Sequence, residues 1–536
     1  MKFVVLSDIH YVAKSMIIDD NNAVIDNAVS RQALLDASSY DDIDTILITG
    51  DLTDSGDKES HLELVELLRS LKNNGKKIYV TTATHDFNHH RAYTRKRGDT
   101  KAQFSESPWN MPFFDKEKAD YASYLKEGFE YSSVEEITPA LAECFAPEEL
   151  WELYREFGRD DAYSVCESGY SYCLDLDEDT RCLMLNDNFR NEEAMKDISV
   201  SYSPLCLKWI DRMVKEAKRD GKFIFACTHH PLVPPSPAYR IGAKIRDMRT
   251  PYTVHILADM GLNLVFTGHT HFTDVGFAKS NEGNVLCDIS TPSVRFYPPA
   301  YRIVDLDGKN SSVDYKITDV SVPSDIKIAE GSMREHYRNR MYNEYLGKMA
   351  GLKSPLDKIV TEMKVSNFYF LIKGVAKLNE SEYESIKDMK FFDLVISAVF
   401  NMLAGDGGYT PDSPEYKVLM GLAAVVDSII DAQPFVNLKS KLLKGYSARQ
   451  VIEPLCFNNL VPDNEAKLDF SHIPDEKYNL SPVTSYAGDI VMAILCILAV
   501  PVSRLLPYAA VIGLPAMTIV KRIKLKKNPS GPEYIY

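Results

Sequence analysis

The stretch that decides the fold is FVVLSDIH at residues 3–10 of the 536-residue chain. Four apolar residues are followed almost at once by Asp8 and His10. A continuous apolar run of this length is typical of a β-strand that is covered on both faces. Polar side chains that come directly after such a strand lie at its carboxyl end, where α/β sheets form their sites. The stretch therefore predicts a buried strand that ends in candidate functional residues.

Further apolar runs of the same kind lie downstream, and helical patterns separate them. The runs span residues 45–49, 78–82, 183–185, 223–227 and 264–267. Regularly spaced leucines over 61–71 and the pattern over 204–218 predict two amphipathic helices. His61 lies on the first helix and is interpreted as a surface or cap residue. Alternation of buried strands with helices predicts an α/β architecture.

Four more polar motifs stand directly after predicted strands. They are GDLTD at 50–54, ATHD at 83–86, HHP at 229–231 and GHTH at 268–271. Because sites form at the carboxyl ends of strands, we expect all five motifs to converge on one edge. Mixed carboxylate and imidazole ligands suit Mn, Fe, Zn or Co, and their number exceeds the needs of one ion. The pattern predicts a pair of divalent transition-metal ions, which is an arrangement suited to displacement at phosphorus.

This ordered set of motifs resembles the calcineurin-like metallophosphoesterase superfamily. The superfamily pattern is D-x-H, G-D-x-x-D, G-N-H-D/E, H-x-P or H-G, and G-H-x-H, and the resemblance covers about residues 1–315. It implies a pair of mixed β-sheets flanked by helices. It also implies a dinuclear metal-dependent phosphohydrolase that cleaves a phosphomonoester or phosphodiester by attack of a metal-bridging hydroxide. Residues 85–88, 145–160 and 291–301 are similar to a bacterial branch known mainly from Gram-positive genomes.

The resemblance implies which of the two metal ions each residue of the matching motifs would bind. One metal ion would be held by Asp8, His10, Asp51 and His271. Asp51 would bridge to a second ion, which His229 and His269 would also hold.

The resemblance also implies a catalytic pair and a substrate class. His85 would contact the phosphate and protonate the leaving oxygen, and the carboxylate of Asp54 would orient His85. Protein phosphatases of the superfamily usually continue the second motif with Arg and carry H-G-G at the fourth. This chain has Ser55-Gly56 and HHP instead, which favours small phosphoesters over phosphoproteins.

The third motif departs from the superfamily pattern, because Ala83-Thr84 stands where Gly-Asn is usual. The amide oxygen of that Asn normally ligates the second metal, and a hydroxyl is a shorter and poorer neutral ligand. The alternatives left open are a weaker or water-bridged second ion, and ligation by Asn88 or His89. A catalytically weakened metal-binding scaffold is the competing functional hypothesis.

The pattern after residue 320 is mostly helical, for example over 333–349, 391–403 and 416–430. We therefore predict a catalytic domain at 1–320 with an inserted subdomain at 99–182. A helical domain follows at 321–488, and an apolar segment with a basic tail occupies 489–527. Residues 490–520 contain a single charge, Arg504, which fits either a hairpin at a membrane or two buried helices. The membrane interpretation adds a membrane-surface lipid-phosphate hydrolase as an alternative function.

Composition limits the partners and the compartment. Lys and Arg number 61 against 76 Asp and Glu, so the net charge is −15. Such a negative field repels a nucleic-acid backbone and argues against non-specific binding of DNA or RNA. The nine cysteines form no C-x-x-C pair, which is typical of a reducing compartment. We expect a cytoplasmic protein, or one at the cytoplasmic face of a membrane, that acts on a small phosphoester.

Overall fold

The fold was analysed in a computed structural model. It describes residues 1–17, 21–87, 144–187, 202, 204–233, 250–280, 282–350, 361–405, 408–430, 447–456 and 462–471. The chain divides into two compact units. The first consists of the described residues within Met1–Val233, Arg246–Tyr337 and Asp463–Pro482, and the second contains those within Arg338–Pro462.

All the described strands belong to the first unit. They are β1 (Lys2–Leu6), β2 (Thr45–Ile48), β3 (Lys77–Val80), β4 (Ser164–Cys166), β5 (Ser171–Asp175), β6 (Thr180–Met184), β7 (Phe223–Cys227), β8 (Leu264–Thr267), β9 (Asp274–Lys279), β10 (Val285–Ser290), β11 (Ala300–Asp307), β12 (Ser312–Asp319) and β13 (Glu465–Asp469). The strands that carry the motifs are buried along nearly their whole length, which explains why their sequences are continuously apolar.

The strands form two mixed sheets. The first sheet has the order β13-β12-β11-β1-β2-β3, and the second has the order β4-β5-β6-β7-β8-β10-β9. Parallel pairing joins β1 to β2 and β2 to β3 in the first sheet, with Phe3 opposite Thr45. In the second sheet it joins β6, β7, β8 and β10. The motifs that follow these parallel strands therefore leave each sheet at its carboxyl edge.

Aromatic contacts join the inner faces of the two sheets. The ring of Phe3 on β1 stacks on Phe225 of β7 with centroids 5.5 Å apart. It meets the ring of Phe266 on β8 edge-on at 5.8 Å. All three side chains are completely buried, so the core between the sheets holds β1, β7 and β8 together.

Helices cover the sheets and form the second unit. In chain order they are α1 (Asn21–Ser38), α2 (Lys58–Asn73), α3 (Pro147–Leu153), α4 (Pro204–Arg219), α5 (Thr250–Met260), α6 (Met333–Ala350), α7 (Val365–Ala376), α8 (Glu380–Ile386), α9 (Phe391–Ala404), α10 (Pro414–Ile430) and α11 (Ala448–Cys456). Helix α2 begins where the Asp57 carboxylate accepts a hydrogen bond from the Ser60 amide at 2.8 Å. The predicted class, an α/β fold with two mixed sheets and a helical C-terminal region, is confirmed.

The chain returns to the first sheet after the helical unit. Strand β13 pairs antiparallel with β12, so residues 465–469 are sheet residues within the range 321–488 that we predicted to be helical. The buried Arg302 on β11 holds this return, because its Nη1 donates to the Asp463 carbonyl at 2.8 Å. The pairing joins segments about 150 residues apart, and local pattern does not reveal such a partner.

The range 99–182 that we predicted as an inserted subdomain is described from residue 144 onward and includes α3. Residues 164–182 contain β4, β5 and the start of β6, and they therefore contribute to the second sheet itself. Its part before residue 144 lies outside the described residues.

The apolar segment at 489–527 also lies outside the described residues. Among the helices that the structure describes, none combines the length and the apolar character needed to cross a bilayer.

Candidate metal centre

The carboxyl ends of the parallel strands bring the six predicted metal ligands together. Donor atoms within 4.8 Å of one another group these six side chains, together with His85 and His230, into overlapping sets of three. The sets are Asp8–His10–His271, His10–Asp51–His85, Asp8–Asp51–His229 and His229–His230–His269. Shared members link all four sets, so the side chains form one continuous cluster.

The first end of the cluster is built from the first and fifth motifs. The Nε2 atom of His271 lies 3.1 Å from Asp8 Oδ1, and His10 Nε2 lies 3.6 Å from the same oxygen. The two imidazole Nε2 atoms are 3.4 Å apart. The Ser7 hydroxyl and the His269 amide donate to the other oxygen, Oδ2, and hold the carboxylate in place. One carboxylate oxygen and two ring nitrogens therefore face a common point.

Asp51 lies between the two ends of the cluster. Its Oδ2 is 3.1 Å from His229 Nε2 and 3.9 Å from His10 Nε2. Its Oδ1 accepts hydrogen bonds from the His85 amide at 2.9 Å and from the Thr84 hydroxyl at 3.3 Å. One oxygen is thus held by the third motif, and the other faces ligands from both ends.

The chemistry of the second end fits a metal ion. His229 Nδ1 lies 2.9 Å from the Thr49 carbonyl, and a carbonyl only accepts, so Nδ1 carries the proton. Burial lowers the pKa of the His229 ring, but the charge of Asp51 and its contact with Nε2 at 3.1 Å outweigh burial and raise the pKa to about 10. Nε2 therefore carries a proton that a bound cation would displace. The ring of His269 packs against His229 with centroids 5.1 Å apart. Two buried imidazoles beside a carboxylate are a donor set that suits a divalent cation.

The charges of the cluster also suit a cation. Burial acts to raise the pKa of the Asp8 and Asp51 carboxyls, but the surrounding histidines outweigh it and hold each pKa well below its usual range. Burial lowers the pKa of His10 to about 4 and that of His269 well below its usual value. The site therefore combines anionic carboxylates with neutral imidazoles at His10 and His269, and a cation bound at the second end would displace the proton of His229.

The backbone of the predicted ligands is strained. Five of them adopt left-handed φ values, which are uncommon for residues other than glycine. These values are 52° for Asp8, 47° for His10, 49° for Asp51, 63° for His269 and 60° for His271. Such conformations cost about 1–3 kcal/mol each and persist only where surrounding contacts enforce them. Their concentration at one point is typical of a functional site.

Two motif glycines are required by close approach. A Cβ atom at Gly268 would lie 1.7 Å from Ser7 Oγ and 2.6 Å from Asp8 Oδ2. A Cβ at Gly50, where φ is 102°, would lie 2.6 Å from the Ala83 Cβ. The glycines of the second and fifth motifs therefore allow neighbouring loops to approach each other at the cluster.

His85 is held by Asp54, but through the main chain. The Nδ1 atom of His85 lies 2.7 Å from the Asp54 carbonyl oxygen, whereas we predicted that the Asp54 carboxylate orients this histidine. That carboxylate lies 3.3 Å from Arg295 Nη1 and 3.9 Å from His10 Nδ1. The guanidinium of Arg295 also donates to the His10 carbonyl, so it draws the carboxylate towards the first motif.

The residue that departs from the superfamily pattern, Thr84, lies at the cluster. Its hydroxyl donates to Asp51 Oδ1, the oxygen that also accepts from the His85 amide. Asn88 and His89, the substitute ligands that the sequence suggested, lie outside the described residues.

Two residues that stabilise the third motif were not assigned this role from the sequence. The Asp86 carboxylate accepts from the Thr53 amide at 2.9 Å and the Ala83 amide at 2.7 Å, and so joins the second and third motifs. His61, which we predicted at the surface, is completely buried, with Nε2 3.0 Å from the Asp86 carbonyl and Nδ1 2.9 Å from the Tyr154 hydroxyl. The signal was present, since His61 precedes the leucine stripe of α2 at helical spacing.

Asp187 is a further site residue that we did not predict. It follows β6 and accepts hydrogen bonds from the amide and the ring Nδ1 of His230, at 2.6 Å and 3.0 Å. A polar residue directly after a predicted parallel strand is the same signal that identified the five motifs.

One side of the cluster is accessible. Asp8, His10, Asp51 and His229 are buried, whereas His85, His269 and His271 are half-buried. The ring of Phe296 stacks on His271 with centroids 4.5 Å apart and borders this side. A substrate would therefore reach the cluster past His85, His269 and His271.

The chain belongs to the calcineurin-like phosphoesterase family, whose pattern matches residues 1–272. It is therefore a metal-dependent phosphoesterase, a hydrolase of phosphoester bonds. No curated protein matches the chain.

Several solved structures resemble it. A dimetal phosphatase from Danio rerio is 12% identical, with 60% of this chain and 99% of that chain covered and a TM-score of 0.34. A purple acid phosphatase from yellow lupin (Lupinus luteus) seeds is 10% identical, with 62% of this chain and 52% of that chain covered and a TM-score of 0.33. A putative 5'-nucleotidase from Staphylococcus aureus is 13% identical, with 74% and 71% covered and a TM-score of 0.33.

Proposed function

We propose that the protein hydrolyses a small phosphomonoester or phosphodiester with two divalent transition-metal ions, of which Mn, Fe and Zn suit the donor set. The observation that carries the proposal is the position of Asp51. One of its oxygens faces both His10 and His229, which belong to opposite ends of the cluster. A carboxylate placed in this way can serve two ions at once.

The proposed ligands divide between the two ends. Asp8, His10 and His271 would hold the first ion, His229 and His269 the second, and Asp51 would serve both. When bound, the two ions would supply an activated water at neutral pH and neutralise charge on the phosphoryl oxygens.

His85 is the proposed general acid. Its Nδ1–H is engaged by the Asp54 carbonyl, so the ring is fixed and Nε2 is the nitrogen left for the substrate. In the protonated ring, Nε2–H would contact the phosphoryl group and pass its proton to the leaving oxygen. The ring packs edge-on against His10 with centroids 4.6 Å apart, which places it beside the proposed metal ligands.

The motif chemistry supports a small substrate. Ser55 follows Asp54 at the position where protein phosphatases of the superfamily usually have Arg, and its hydroxyl bonds the Asp54 carboxylate at 3.1 Å. A buried serine that bonds its neighbour therefore stands where those phosphatases have a cation.

The test is hydrolysis of p-nitrophenyl phosphate and bis-p-nitrophenyl phosphate by the full chain loaded with Mn²⁺, and separately with Zn²⁺. We expect turnover that is lost on chelation and returns when metal is added back. His85→Asn should lose turnover but keep its metal content, while the matched control His336→Asn on α6 should behave as wild type. A folded, metal-loaded protein with no metal-dependent turnover on either ester would reject the proposal.

A further inference from the structure

The second histidine of the fourth motif, His230, lies at the second end of the cluster. Its ring centroid is 4.1 Å from that of His269 and 4.9 Å from that of His229. One ring nitrogen from each of the three histidines lies within 4.8 Å of the other two. His230 is only 4% exposed, so its ring lies in the protein interior.

Asp187 fixes the orientation and the tautomer of His230. A carboxylate only accepts, so the contact of 3.0 Å between Asp187 Oδ1 and His230 Nδ1 places the ring proton on Nδ1. The other carboxylate oxygen accepts from the His230 amide at 2.6 Å and the Thr228 hydroxyl at 2.9 Å. The Asp187 side chain is completely buried, so water does not compete for these hydrogen bonds.

The remaining ring nitrogen of His230 is Nε2. Nε2 is buried and makes no hydrogen bond within the part of the chain that the structure describes. An unsatisfied buried acceptor costs about 1–3 kcal/mol, so a position of this kind is retained where something else satisfies it. A histidine whose far nitrogen donates to a carboxylate is the usual arrangement of a metal ligand.

Among the described residues, the second end has no amide ligand of the kind that the superfamily pattern supplies. His229, His269 and Asp51 supply three donors there, and the amide that the superfamily pattern places in the third motif is absent. Thr84 occupies that position, and its hydroxyl donates a hydrogen bond to Asp51. Asp51 would be shared with the first ion, so a further imidazole at the second end would complete the set of donors around the second ion.

We propose that His230, oriented by Asp187, is a ligand of the second metal ion and takes the place of the missing amide. The inference rests on the two-ion site of the proposed function and assigns to it a residue outside the superfamily's ligand pattern. Three imidazoles with one carboxylate form a donor set that suits Zn or Fe better than Mn.

The test is metal stoichiometry and affinity, measured without substrate. Full-length protein is stripped of metal and titrated with Zn²⁺ by calorimetry, and bound metal is counted by elemental analysis. We expect wild type to bind two equivalents. His230→Ala should weaken the second equivalent by about 10-fold to 100-fold and leave the first unchanged. Asp187→Asn should weaken the affinity for the second equivalent by a smaller factor. The control His336→Ala should change the affinity for neither equivalent.

A rescue variant tests the replacement directly. Adding Thr84→Asn to His230→Ala restores the superfamily ligand, so the second equivalent should regain affinity. If the double variant regains none, His230 does not stand in for the amide and the inference is overturned. Circular dichroism checks folding, and His230→Gln gives the same measurement if the alanine variant does not fold.

Other outcomes would also overturn the inference. Wild-type protein that holds fewer than two equivalents has no second ion for His230 to ligate. Unchanged metal binding in His230→Ala, together with weaker binding of inorganic phosphate, would assign the ring to the substrate instead. Because these measurements need no turnover, a protein that binds both ions and hydrolyses nothing would reject the proposed function alone.

Discussion

His85 donates its Nδ1–H to the main-chain carbonyl of Asp54 over 2.7 Å, so the polypeptide backbone fixes this histidine. A backbone acceptor is unaffected by side-chain substitution. We therefore expect Asp54→Asn to keep the orientation of His85 and most of its contribution to kcat. His85→Asn should lower kcat by about 10²-fold to 10⁴-fold, the usual contribution of a positioned proton donor.

The comparison of the two variants is made on the metal-loaded protein, with kcat measured for the same aryl phosphoester and metal content measured in parallel. Equal losses in Asp54→Asn and His85→Asn, with metal retained in both, would show that the Asp54 carboxylate is required and that our assignment of the carbonyl is wrong.

Gly268→Ala should disrupt the first metal site. The added Cβ would lie 1.7 Å from Ser7 Oγ and 2.6 Å from Asp8 Oδ2, so the Asp8 carboxylate must move. We expect at least about a 10-fold loss of affinity for one metal ion, measured by calorimetry, since displaced ligands bind less tightly. Gly347→Ala is the matched control, because a Cβ at Gly347 on α6 meets no atom within 4 Å. Equal metal binding in both variants would contradict the close packing of Gly268 against Asp8.

His61 should make the fold sensitive to acid. Burial lowers its pKa from 6.5 to about 4, so the folded state binds fewer protons than the unfolded state between these values. The contribution of the neutral His61 ring to the free energy of unfolding is therefore fully present above pH 6.5. It is lost as the pH falls towards 4, by roughly 3 kcal/mol at 1.36 kcal/mol per pKa unit.

The measurement is the free energy of unfolding in urea at pH 7, 6, 5 and 4.5, with metal removed by a chelator. The variant His61→Asn should be less stable at pH 7 but should lose less stability on acidification, since the titrating group is gone. Parallel pH profiles for the two proteins would show that His61 does not carry the acid sensitivity.

Asp463 should anchor the returning strand β13. Its Oδ1 accepts from the Val275 amide at 2.9 Å, and the residue is buried. Asp463→Ala leaves that buried amide without its acceptor, so we expect a loss of about 1–3 kcal/mol in the free energy of unfolding. Glu465→Ala, at an exposed position on β13, is the control and should change stability by less than about 0.5 kcal/mol. Equal stabilities of the two variants would contradict an anchoring role for Asp463.

The sequence located most strands and helices because the buried positions of each element form a local pattern of apolar residues. The runs at 223–227 and 264–267 coincide with β7 and β8, and the pattern at 204–218 matches α4 within one residue. It did not reveal that the chain re-enters the first sheet at β13. That strand alternates between exposed and half-buried residues at a sheet edge, and its pairing with β12 depends on a partner far away in sequence.

The candidate site was predictable in its members more than in its geometry. Polar motifs at strand ends identified Asp8, Asp51 and His229, since each follows a strand that is recognisable on its own. Asp187 obeyed the same rule and was overlooked. The role of the Asp54 carbonyl could not be foreseen, because a backbone acceptor leaves no trace in residue identity.

The amino-acid sequence by itself determined the α/β class and the residues that supply carboxylate and imidazole donors, because strand burial and donor chemistry are properties of local segments. Only the tertiary structure decided which donors lie close together and which ring nitrogen of His229 and of His230 donates to a neighbouring oxygen. It also decided which oxygen accepts the hydrogen bond of the Thr84 hydroxyl. The contact of His229 with Thr49 joins the two sheets, whereas the other two contacts join loops that follow neighbouring strands of one sheet. All three bring together residues that are far apart in sequence, so they exist only in the folded chain.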